Sequence, residues 1–370
     1  MPYNGISVRD NFLKAARRQQ PAWVPLDFGM SRGALRQFHE HAGKDADPCA
    51  YFKFDGAWLG PSGTRRAAPD WKKLYYNDGS LPEGATIDPE WGVAQLYDPV
   101  GDDALNFFPL RNITTAKEVD DYPWPDAAAA YRYEGLAGKV AQKQREDHAV
   151  FVSALNFFES VWGLRGFEQL MLDMAEESPV ASRLFERFHG INVAKAELIA
   201  KSGADILQCG SDVATQRGPL MSPAMWRQYV FPSMRDSIRA AKKINPELLV
   251  IYHSCGNVIS MIDGFLEAGV DILDPCQPEC MDIFELKRRY GKVLTFHGGI
   301  GVQSVLPNGT PDEVREMTRR TIDVMGEGGG YLCSSSHMLR EDIPWRNVVA
   351  FVEAVREYGI PIKLRKNELN

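Results

Sequence analysis

Short apolar segments recur along the chain, and each ends in polar residues or glycine. Examples are VFVSALN and LLVIYHSCG, and the full set covers residues 23–29, 52–60, 150–156, 204–212, 248–256, 270–278, 293–299 and 329–337. Runs with helical period separate several of them, and one such run opens with Thr-Pro-Asp-Glu at 310–313, which suits an N-cap and first turn. Parallel strands need crossover connections and are buried on both faces. Eight such segments alternating with helices therefore predict an α/β fold of the (β/α)8 TIM-barrel type.

Residues 61–149 do not follow this alternation. The stretch is rich in Trp, Tyr, Pro and Asp, as in DPEWGVAQLYDP and DDYPWPDAAAAY. We interpret it as an insertion of a hairpin and loops with one helix, which covers one end of the barrel. The whole chain, residues 1–370, is then expected to form a single domain.

Composition limits the classes of partner. The chain is 44% hydrophobic and 25% charged, which is typical of a soluble protein with a core. Its net charge is -7 and it has no cluster of basic residues, so no nucleic-acid partner is expected. The first 20 residues resemble an amphipathic helix rather than a signal peptide, and no apolar run approaches about 18 residues. We therefore expect a cytoplasmic protein without a membrane partner, whose six cysteines are buried or bind metal rather than form disulfides.

The segment VIYHSCGN at 250–257 places a histidine and a cysteine at the end of a predicted strand. Barrel enzymes build their sites at these carboxyl ends. A period of two sends His253 and Cys255 to the same side, and imidazole with thiolate favours zinc over magnesium or calcium. Closure of the barrel would bring a third ligand, Cys333 or His337, near His253. From this pattern alone, the alternative is a hydrogen-bonded core histidine beside a small buried cysteine.

Two acidic residues near strand ends are candidates for catalysis. Asp212 could act as a general acid or base, or could orient a zinc-bound histidine; the alternative is a helix N-cap or turn residue. Glu159 could protonate a leaving oxygen, and its alternative is a solvated helix residue.

Further residues near strand ends are candidates for substrate binding. Asn156 and Gln277 could form hydrogen bonds to a substrate. His297 could bind substrate or compete with His337 for the metal. Phe28 and Trp58 belong to a set of aromatic residues that would suit a planar substrate at the barrel mouth, although packing in the core explains them equally well.

Long segments of the second half carry a family resemblance. The runs HSCGNVISMIDGFLEAGVDILDPCQP from 253 and FHGGIGVQSVLPNGTPDEVREM from 296, with GSDVATQRGPLMSPAMWRQYVFP before them, resemble the uroporphyrinogen decarboxylase superfamily. Within it, the chain is most similar to the zinc-dependent, corrinoid-linked methyltransferase branch. The resemblance covers most of residues 20–355 and implies a single (β/α)8 barrel.

The resemblance also implies a metal and a reaction. In this branch zinc is held by His-x-Cys and by a cysteine in a glycine-rich segment near the C-terminus. His253 and Cys255 match the first two ligands; His337 stands at the third position, and Cys333, four residues earlier, is the alternative. The implied reaction moves a methyl group between a small methylated substrate, such as an aryl methyl ether, and cobalamin. Nothing in the chain resembles a cobalamin-binding domain, so a separate corrinoid protein is implied; tetrahydrofolate stays open as a direct acceptor.

Two alternatives remain within the superfamily. A metal-free decarboxylase of a carboxylated cyclic substrate would need arginines that bind the carboxylates. The corresponding stretch, LDFGMSRGALRQFHEHAG, contains Arg32 and Arg36 but lacks the Arg-Gln-Ala-Gly-Arg-Tyr-like motif of the decarboxylase. The other alternative is a non-catalytic binding subunit of a methyl-transfer complex. Dimers are common among members of the superfamily, so the resemblance also allows a homodimer.

Overall fold

The computed structural model describes residues 5–75, 81–98 and 103–360. Its strands are β1 (Gly56–Leu59), β2 (Thr86–Ile87), β3 (Ala94–Tyr97), β4 (Ala104–Phe107), β5 (Ala149–Asn156), β6 (Ile206–Gly210), β7 (Ala214–Thr215), β8 (Gly218–Pro219), β9 (Leu249–His253), β10 (Ile272–Cys276), β11 (Thr295–Ile300) and β12 (Tyr331–Ser335). A parallel seven-stranded sheet joins them in the order β1-β5-β6-β9-β10-β11-β12. These seven strands correspond to seven of the eight predicted segments.

The eighth predicted segment, residues 23–29, closes the sheet without forming a regular strand. Leu26 makes an isolated parallel bridge to Cys333 of β12, and its carbonyl accepts a hydrogen bond from Asp55 N at 3.2 Å, next to β1. Pro25 lies in this segment, and proline has no N–H to donate to a strand ladder. The predicted (β/α)8 fold is confirmed, and the expectation of a regular strand here is corrected.

Helices surround the sheet. They are α1 (Val8–Ala16), α2 (Arg32–Ala42), α3 (Pro48–Phe52), α4 (Lys72–Tyr75), α5 (Ala116–Asp121), α6 (Leu136–Arg145), α7 (Glu159–Arg165), α8 (Phe167–Ala175), α9 (Pro179–Lys201), α10 (Pro223–Tyr229), α11 (Phe231–Ile244), α12 (Ile262–Ala268), α13 (Ile283–Tyr290), α14 (Val305–Asn308), α15 (Pro311–Met325) and α16 (Trp345–Tyr358). The predicted start of α15 is confirmed, because Thr310 and Glu313 form a capping box there. Among the described residues, no helix combines the length and the apolar character needed to cross a bilayer.

The interior of the barrel has two halves. In the half near the amino ends of the strands, the inward side chains are apolar and pack on α1; Phe12 of that helix meets Phe151 edge to face at 5.6 Å. Two positions further along five of the strands, on the same inward face, the side chains are polar. The successive pairs are Phe151 and Ser153, Ile206 and Gln208, Ile251 and His253, Ile272 and Asp274, and Leu332 and Ser334.

Three carboxylates stand immediately before strands at the amino end of the barrel. Asp55, before β1, accepts a hydrogen bond from Leu26 N at 2.9 Å. Asp205, before β6, accepts one from Val150 N at 2.9 Å, and Asp271, before β10, accepts one from Val250 N at 2.9 Å. Each carboxylate thus binds the backbone of the strand-forming segment that precedes its own strand in the barrel.

The region predicted as an insertion holds more regular structure than expected. Strands β2, β3 and β4 form an antiparallel sheet, and α4, α5 and α6 lie in the same region, where one hairpin and one helix were predicted. The region touches segments that follow strands at the carboxyl end of the barrel. The Arg32 guanidinium lies 5.0 Å from the centre of the Tyr97 ring, and Arg340 pairs with Asp103 at 2.8 Å. Short strands with irregular polar patterns give weak periodicity, which explains the difference.

Candidate active site at the carboxyl ends of the strands

Three side chains that could hold a metal meet at the mouth of the barrel. His253 ends β9, Cys255 lies in the loop that follows, and His337 lies just after β12. One ligand atom from each lies within 4.8 Å of those of the other two. The Cys255 Sγ is 3.7 Å from His253 Nε2. The ends of β9 and β12, which β10 and β11 separate in the sheet, therefore bring two imidazoles and one thiol together.

Backbone geometry places His253 and Cys255. A Cβ on Gly210, in the neighbouring strand β6, would lie 2.5 Å from the His253 carbonyl oxygen, so only glycine lets the two strands approach here. Cys255 N donates to Asp212 Oδ1 at 2.7 Å, and Gly256 N donates to Gln277 Oε1 at 3.1 Å. Gly256 has a φ of 91°, which glycine adopts without steric cost. Asp212 and Gln277 thus fix the loop that carries Cys255.

A buried chain of carboxylates and imidazoles leads away from His253. His253 Nδ1 lies 2.6 Å from Asp274 Oδ2, and His297 Nδ1 lies 2.5 Å from Asp274 Oδ1. His297 Nε2 lies 2.6 Å from Asp27 Oδ1, so a carboxylate occupies each nitrogen of the His297 ring. Asp274 fixes the orientation of His253 and leaves Nε2 as the ligand atom, which is the arrangement common at metal-bound histidines.

The carboxylates and imidazoles of this buried network shift one another's pKa values. Burial alone would lower the pKa of His297, but the carboxylates of Asp27 and Asp274 raise it to about 10. Burial would raise the pKa of Asp274, yet the two histidines hold it below the usual range. The raised pKa favours the protonated form of His297, and both of its ring nitrogens are engaged by carboxylates, whereas the three side chains that meet at the barrel mouth are His253, Cys255 and His337.

The donor set and its charge fit a divalent cation. Two imidazoles and one thiolate are ligands that zinc accepts in proteins. Burial would lower the pKa of His253, but Asp274 and then Cys255 raise it well above its usual range, so without a metal ion the two imidazoliums compensate the two buried carboxylates. Coordination requires His253 to lose its proton, and a Cys255 thiolate would add a second negative charge. Burying uncompensated charge is costly, and a divalent cation at these ligands would neutralise both charges.

Without a metal ion, the Cys255 thiol and the His337 imidazole both have shifted pKa values. Burial raises the pKa of the Cys255 thiol, and the charge of His253 offsets this in part. Burial and the charge of His253 lower the pKa of His337, which keeps its imidazole neutral and able to coordinate.

Two cavities border the three ligands. The larger, of about 540 Å³, is lined by Cys255, His337 and Gln277 and by loop residues that follow β11 and β12. The smaller, of about 260 Å³, lies inside the barrel and is bordered by His253; its other lining residues are Ser153, Ala154, Leu155, Asn156, Glu159, Gln208, Gly210 and Ser211. The ligands thus separate two spaces of different size, one at the rim and one within the barrel.

Asn156 and Glu159, predicted from the sequence, both line the smaller cavity. Asn156 Nδ2 donates to Glu159 Oε2 at 3.0 Å, and Asn156 Oδ1 accepts from the Ser211 hydroxyl at 2.8 Å. Burial raises the pKa of Glu159, and the negative charge of Asp212 raises it further. The Glu159 carboxyl thus borders the cavity with a raised pKa, and Asn156 fixes its orientation.

Other predicted residues lie elsewhere. Phe28 packs against Phe54, with ring centroids 4.6 Å apart, in the layer between sheet and helices. Cys333 is fully buried, and it faces that same layer because its neighbour Leu332 points into the barrel. Trp58 stacks on Phe151 at 4.3 Å and lines neither cavity.

Sequence reasoning missed four residues of the site: Asp27, Asp274, Ser153 and Gln208. All four are inward positions of strand segments, each adjacent to outward apolar residues. Counting by two from the apolar inward positions would have singled out Ser153, Gln208 and Asp274, because alternate residues share a face of a strand.

The closed parallel barrel with polar side chains gathered at the carboxyl ends of its strands defines the class of barrel proteins that carry an active site there. A family model described as uroporphyrinogen decarboxylase (URO-D) matches residues 150–358. That match covers more than half of the chain, so the protein belongs to the uroporphyrinogen decarboxylase family. The superfamily resemblance stated from the sequence is confirmed.

Individual relatives fall into two groups. A methylated-thiol–coenzyme M methyltransferase of Methanosarcina mazei is 29% identical over 46% of this chain and 42% of its own length, so the alignment spans less than half of that relative. The methylcobamide:CoM methyltransferase MtbA of Methanosarcina acetivorans is 24% identical over 45% of this chain and 46% of its own. A uroporphyrinogen decarboxylase of Coxiella burnetii is 22% identical over 95% of both chains.

A solved structure agrees with the fold. A methyltransferase from Methanosarcina mazei superposes with a TM-score of 0.63 over 95% of this chain and 99% of that chain, at 14% sequence identity. This likeness shows the fold. The names of the two methyltransferase relatives agree with the predicted branch.

Proposed function

We propose that this protein is a zinc-dependent methyltransferase that moves a methyl group between a small methylated substrate and a corrinoid protein. The observation that carries the proposal is the approach of His253, Cys255 and His337 to within 4.8 Å at the carboxyl ends of the strands. The names of two relatives, which refer to a methylated thiol and to methylcobamide, support methyl transfer to or from a corrinoid. A bound zinc ion would supply Lewis-acid chemistry, by lowering the pKa of a thiol or by polarising an ether oxygen.

The residues of the chain contribute orientation and a proton. Asp274 orients His253, and Asp212 holds the backbone of Cys255. When a methyl group leaves an oxygen, the electron pair of the broken C–O bond stays on that oxygen. Glu159, with its raised pKa, is suited to donate the proton that this oxygen takes up.

The two cavities suggest a division of roles. We assign the smaller one to the methylated substrate, because it lies inside the barrel and His253 borders it. The larger one lies at the rim among loops, where the carrier of another protein could reach the ligands. An aryl methyl ether is one donor class to assay, although neither Phe28 nor Trp58 lines either cavity.

Decarboxylation is the second candidate, since the match to a uroporphyrinogen decarboxylase extends over 95% of the chain. A substrate with several carboxylates needs several cationic side chains. Among the described residues that line the two cavities, Arg340 is the one arginine, and Asp103 pairs with it at 2.8 Å. The site therefore favours methyl transfer. A non-catalytic subunit would not need three ligands within metal distance, so their approach also supports an enzyme.

Metal content tests the zinc site. We would purify wild type and the variants His253→Ala, Cys255→Ser and His337→Ala without chelators and measure zinc by elemental mass spectrometry, with Cys333→Ser as the matched control. We expect about one zinc per chain in wild type and in Cys333→Ser, and loss of zinc in the other three. Zinc retained in His337→Ala but lost in Cys333→Ser would move the third ligand to Cys333. A wild type without zinc would overturn the proposed zinc chemistry.

A further inference from the structure

A third cavity shares part of its wall with the smaller one. This cleft, of about 390 Å³, lies between α7 and the inserted region of residues 61–149, and Asn156 and Glu159 line both spaces. We propose that the cleft holds an aromatic ring of the methylated substrate while the methyl group enters the smaller cavity. The proposal rests on the proposed methyltransferase function and names the substrate class of that site.

Two tryptophans line the cleft from different elements. Trp91 belongs to the inserted region, and its ring stacks on Phe188 with the centroids 5.5 Å apart. Trp162 belongs to α7, and its ring meets Phe167 edge to face at 6.2 Å. These packing contacts hold both indoles in place before a ligand arrives. The cleft therefore offers fixed aromatic surfaces to a flat ring, which reduces the entropic cost of binding.

Gly163 leaves the α7 side of the cleft open. It lines the cleft between Trp162 and Leu164, and a Cβ built on it would meet no atom within 4 Å. Among residues other than proline, glycine is the least favourable inside a helix. A larger residue would favour the helix more, but its side chain would occupy the cleft. The glycine thus leaves space that a ligand can use.

The sheet of the inserted region supplies a hydrogen-bond donor. Gln95 uses both ends of its amide, since its Nε2 donates to Asn106 Oδ1 at 2.9 Å and its Oε1 accepts from the Tyr97 hydroxyl at 2.8 Å. Asn106 also lines the cleft, and none of the described residues accepts a hydrogen bond from its Nδ2. That amide can therefore donate to an oxygen substituent of the ring.

The junction between the two spaces matches the shape of an aryl methyl ether. Asn156 and Glu159 border both spaces, whereas His253 borders the smaller cavity alone. An ether oxygen joins the ring to the methyl group. A ring held in the cleft would therefore place that oxygen at the junction and the methyl group on the side of His253. The inserted region then selects the substrate, because it supplies Trp91 and Asn106.

Methoxyarenes serve as probes of the cleft. We would measure the zinc content of purified wild type and then titrate it with 2-, 3- and 4-methoxyphenol by isothermal titration calorimetry. Methoxybenzene and methoxycyclohexane, its saturated counterpart, separate a flat ring from a puckered one. We expect at least one methoxyphenol to bind, and methoxybenzene to bind about fivefold more tightly than methoxycyclohexane.

Variants that fill the cleft locate the ring. Gly163→Leu is expected to weaken methoxyphenol binding at least about tenfold with unchanged zinc content. Gly138→Leu is the matched control, because a Cβ there also meets no atom within 4 Å but the exposed Gly138 of α6 lines neither the cleft nor the two site cavities. It should change the affinity less than about twofold. Ser160→Leu fills the cleft from the same helix if Gly163→Leu does not fold.

Removal of the donor tests the orientation of the ring. Asn106→Ala is expected to weaken the tightest methoxyphenol about fivefold and methoxybenzene less than about twofold, because methoxybenzene lacks the hydroxyl that Asn106 would bind. An equal loss for both ligands would contradict the hydrogen bond from Asn106 to the ring substituent.

The outcomes distinguish the two proposals. Unchanged affinity in Gly163→Leu and Ser160→Leu would contradict the ring site, and so would a wild type that binds none of the three methoxyphenols. Neither result affects the methyltransferase proposal if the protein contains zinc. A wild type without zinc overturns the zinc chemistry, whereas a loss of ring binding confined to the variants that fill the cleft supports the ring site in either case.

Discussion

The two halves of the barrel interior use the same strands for different purposes. In the lower half, at the amino ends, Phe151, Ile206 and Ile272 are fully buried and pack on α1. Two residues further along the same strands, in the upper half, stand Ser153, Gln208 and Asp274. On each of these strands, two residues separate a close-packed hydrocarbon side chain from a hydrogen-bonding side chain near the candidate metal ligands. The lower half is therefore expected to hold most of the free energy of unfolding, and the upper half most of the chemistry.

The largest loss of stability is expected from a substitution in the lower half of the barrel interior. Phe151→Ala removes a ring that touches Phe12 and Trp58 and leaves a cavity among buried side chains. We expect a loss of about 3–5 kcal/mol in the free energy of unfolding, measured by urea titration. Zinc content per folded chain should stay unchanged, because Phe151 does not line either site cavity.

The control for this prediction is Leu105→Ala in β4. Leu105 is 67% exposed, so its truncation should change the free energy of unfolding by less than about 0.5 kcal/mol. A loss below about 1 kcal/mol in Phe151→Ala would show that the lower half is not the stabilising half.

An intermediate effect is expected from the charged chain of the upper half. Asp27→Asn removes one of the two carboxylates that raise the pKa of His297 to about 10. The unfolded value is about 6.5, so the native state binds the extra proton between these pH values. This stabilisation is fully present below about pH 6.5 and is lost as the pH rises through 10. We expect Asp27→Asn to cost about 1–3 kcal/mol at pH 7 and to move the decline to lower pH.

The measurement is urea unfolding of chelator-treated protein between pH 6 and pH 10, so that metal binding at His253 does not contribute. Glu341→Gln is the control, because this exposed carboxylate pairs with Arg36 at 3.7 Å on the surface. An Asp27→Asn protein whose stability follows the same pH profile as wild type would show that the buried carboxylate does not hold the proton on His297.

The smallest expected effect lies in the wall of the smaller cavity. Ser153→Ala removes a hydroxyl that is exposed to the cavity, so we expect the free energy of unfolding to change by less than about 0.5 kcal/mol. Thermal unfolding beside wild type provides the measurement. A change above about 2 kcal/mol would contradict the comparison, since it would show that the upper half also contributes strongly to the free energy of unfolding.

Periodic features of the sequence predicted most of the fold. Eight apolar segments with polar ends and helical runs between them indicate a parallel α/β fold, and the count of eight favours the closed barrel. The insertion was predicted less well, since the two- to four-residue strands β2, β3 and β4 are too short to show alternation. Pro25 is the sequence signal against a regular strand at 23–29, whereas the bridge of Leu26 to Cys333 depends on the partners that the closed barrel provides.

The candidate site was predicted best where neighbours in sequence are neighbours in space; of the distant residues, His337 was reached through barrel closure and the family resemblance. His253 and Cys255 could be paired because only one residue, Ser254, separates them. Asp27 and His297 lie 270 positions apart, and only barrel closure joins them. The metal ligands themselves stay a prediction until metal content is measured.

Three carboxylates bear on where the barrel tolerates inserted residues. Each is bound to the backbone of the segment that precedes its own strand: Asp55, Asp205 and Asp271. They fasten the barrel into two-strand modules: residues 24–30 with β1, β5 with β6, and β9 with β10. The long additional region between β1 and β5 falls at the joint between the first two modules. Extra chain at such a joint leaves the register within each module unchanged, so this barrel could lengthen there without disturbing the strands that present its ligands.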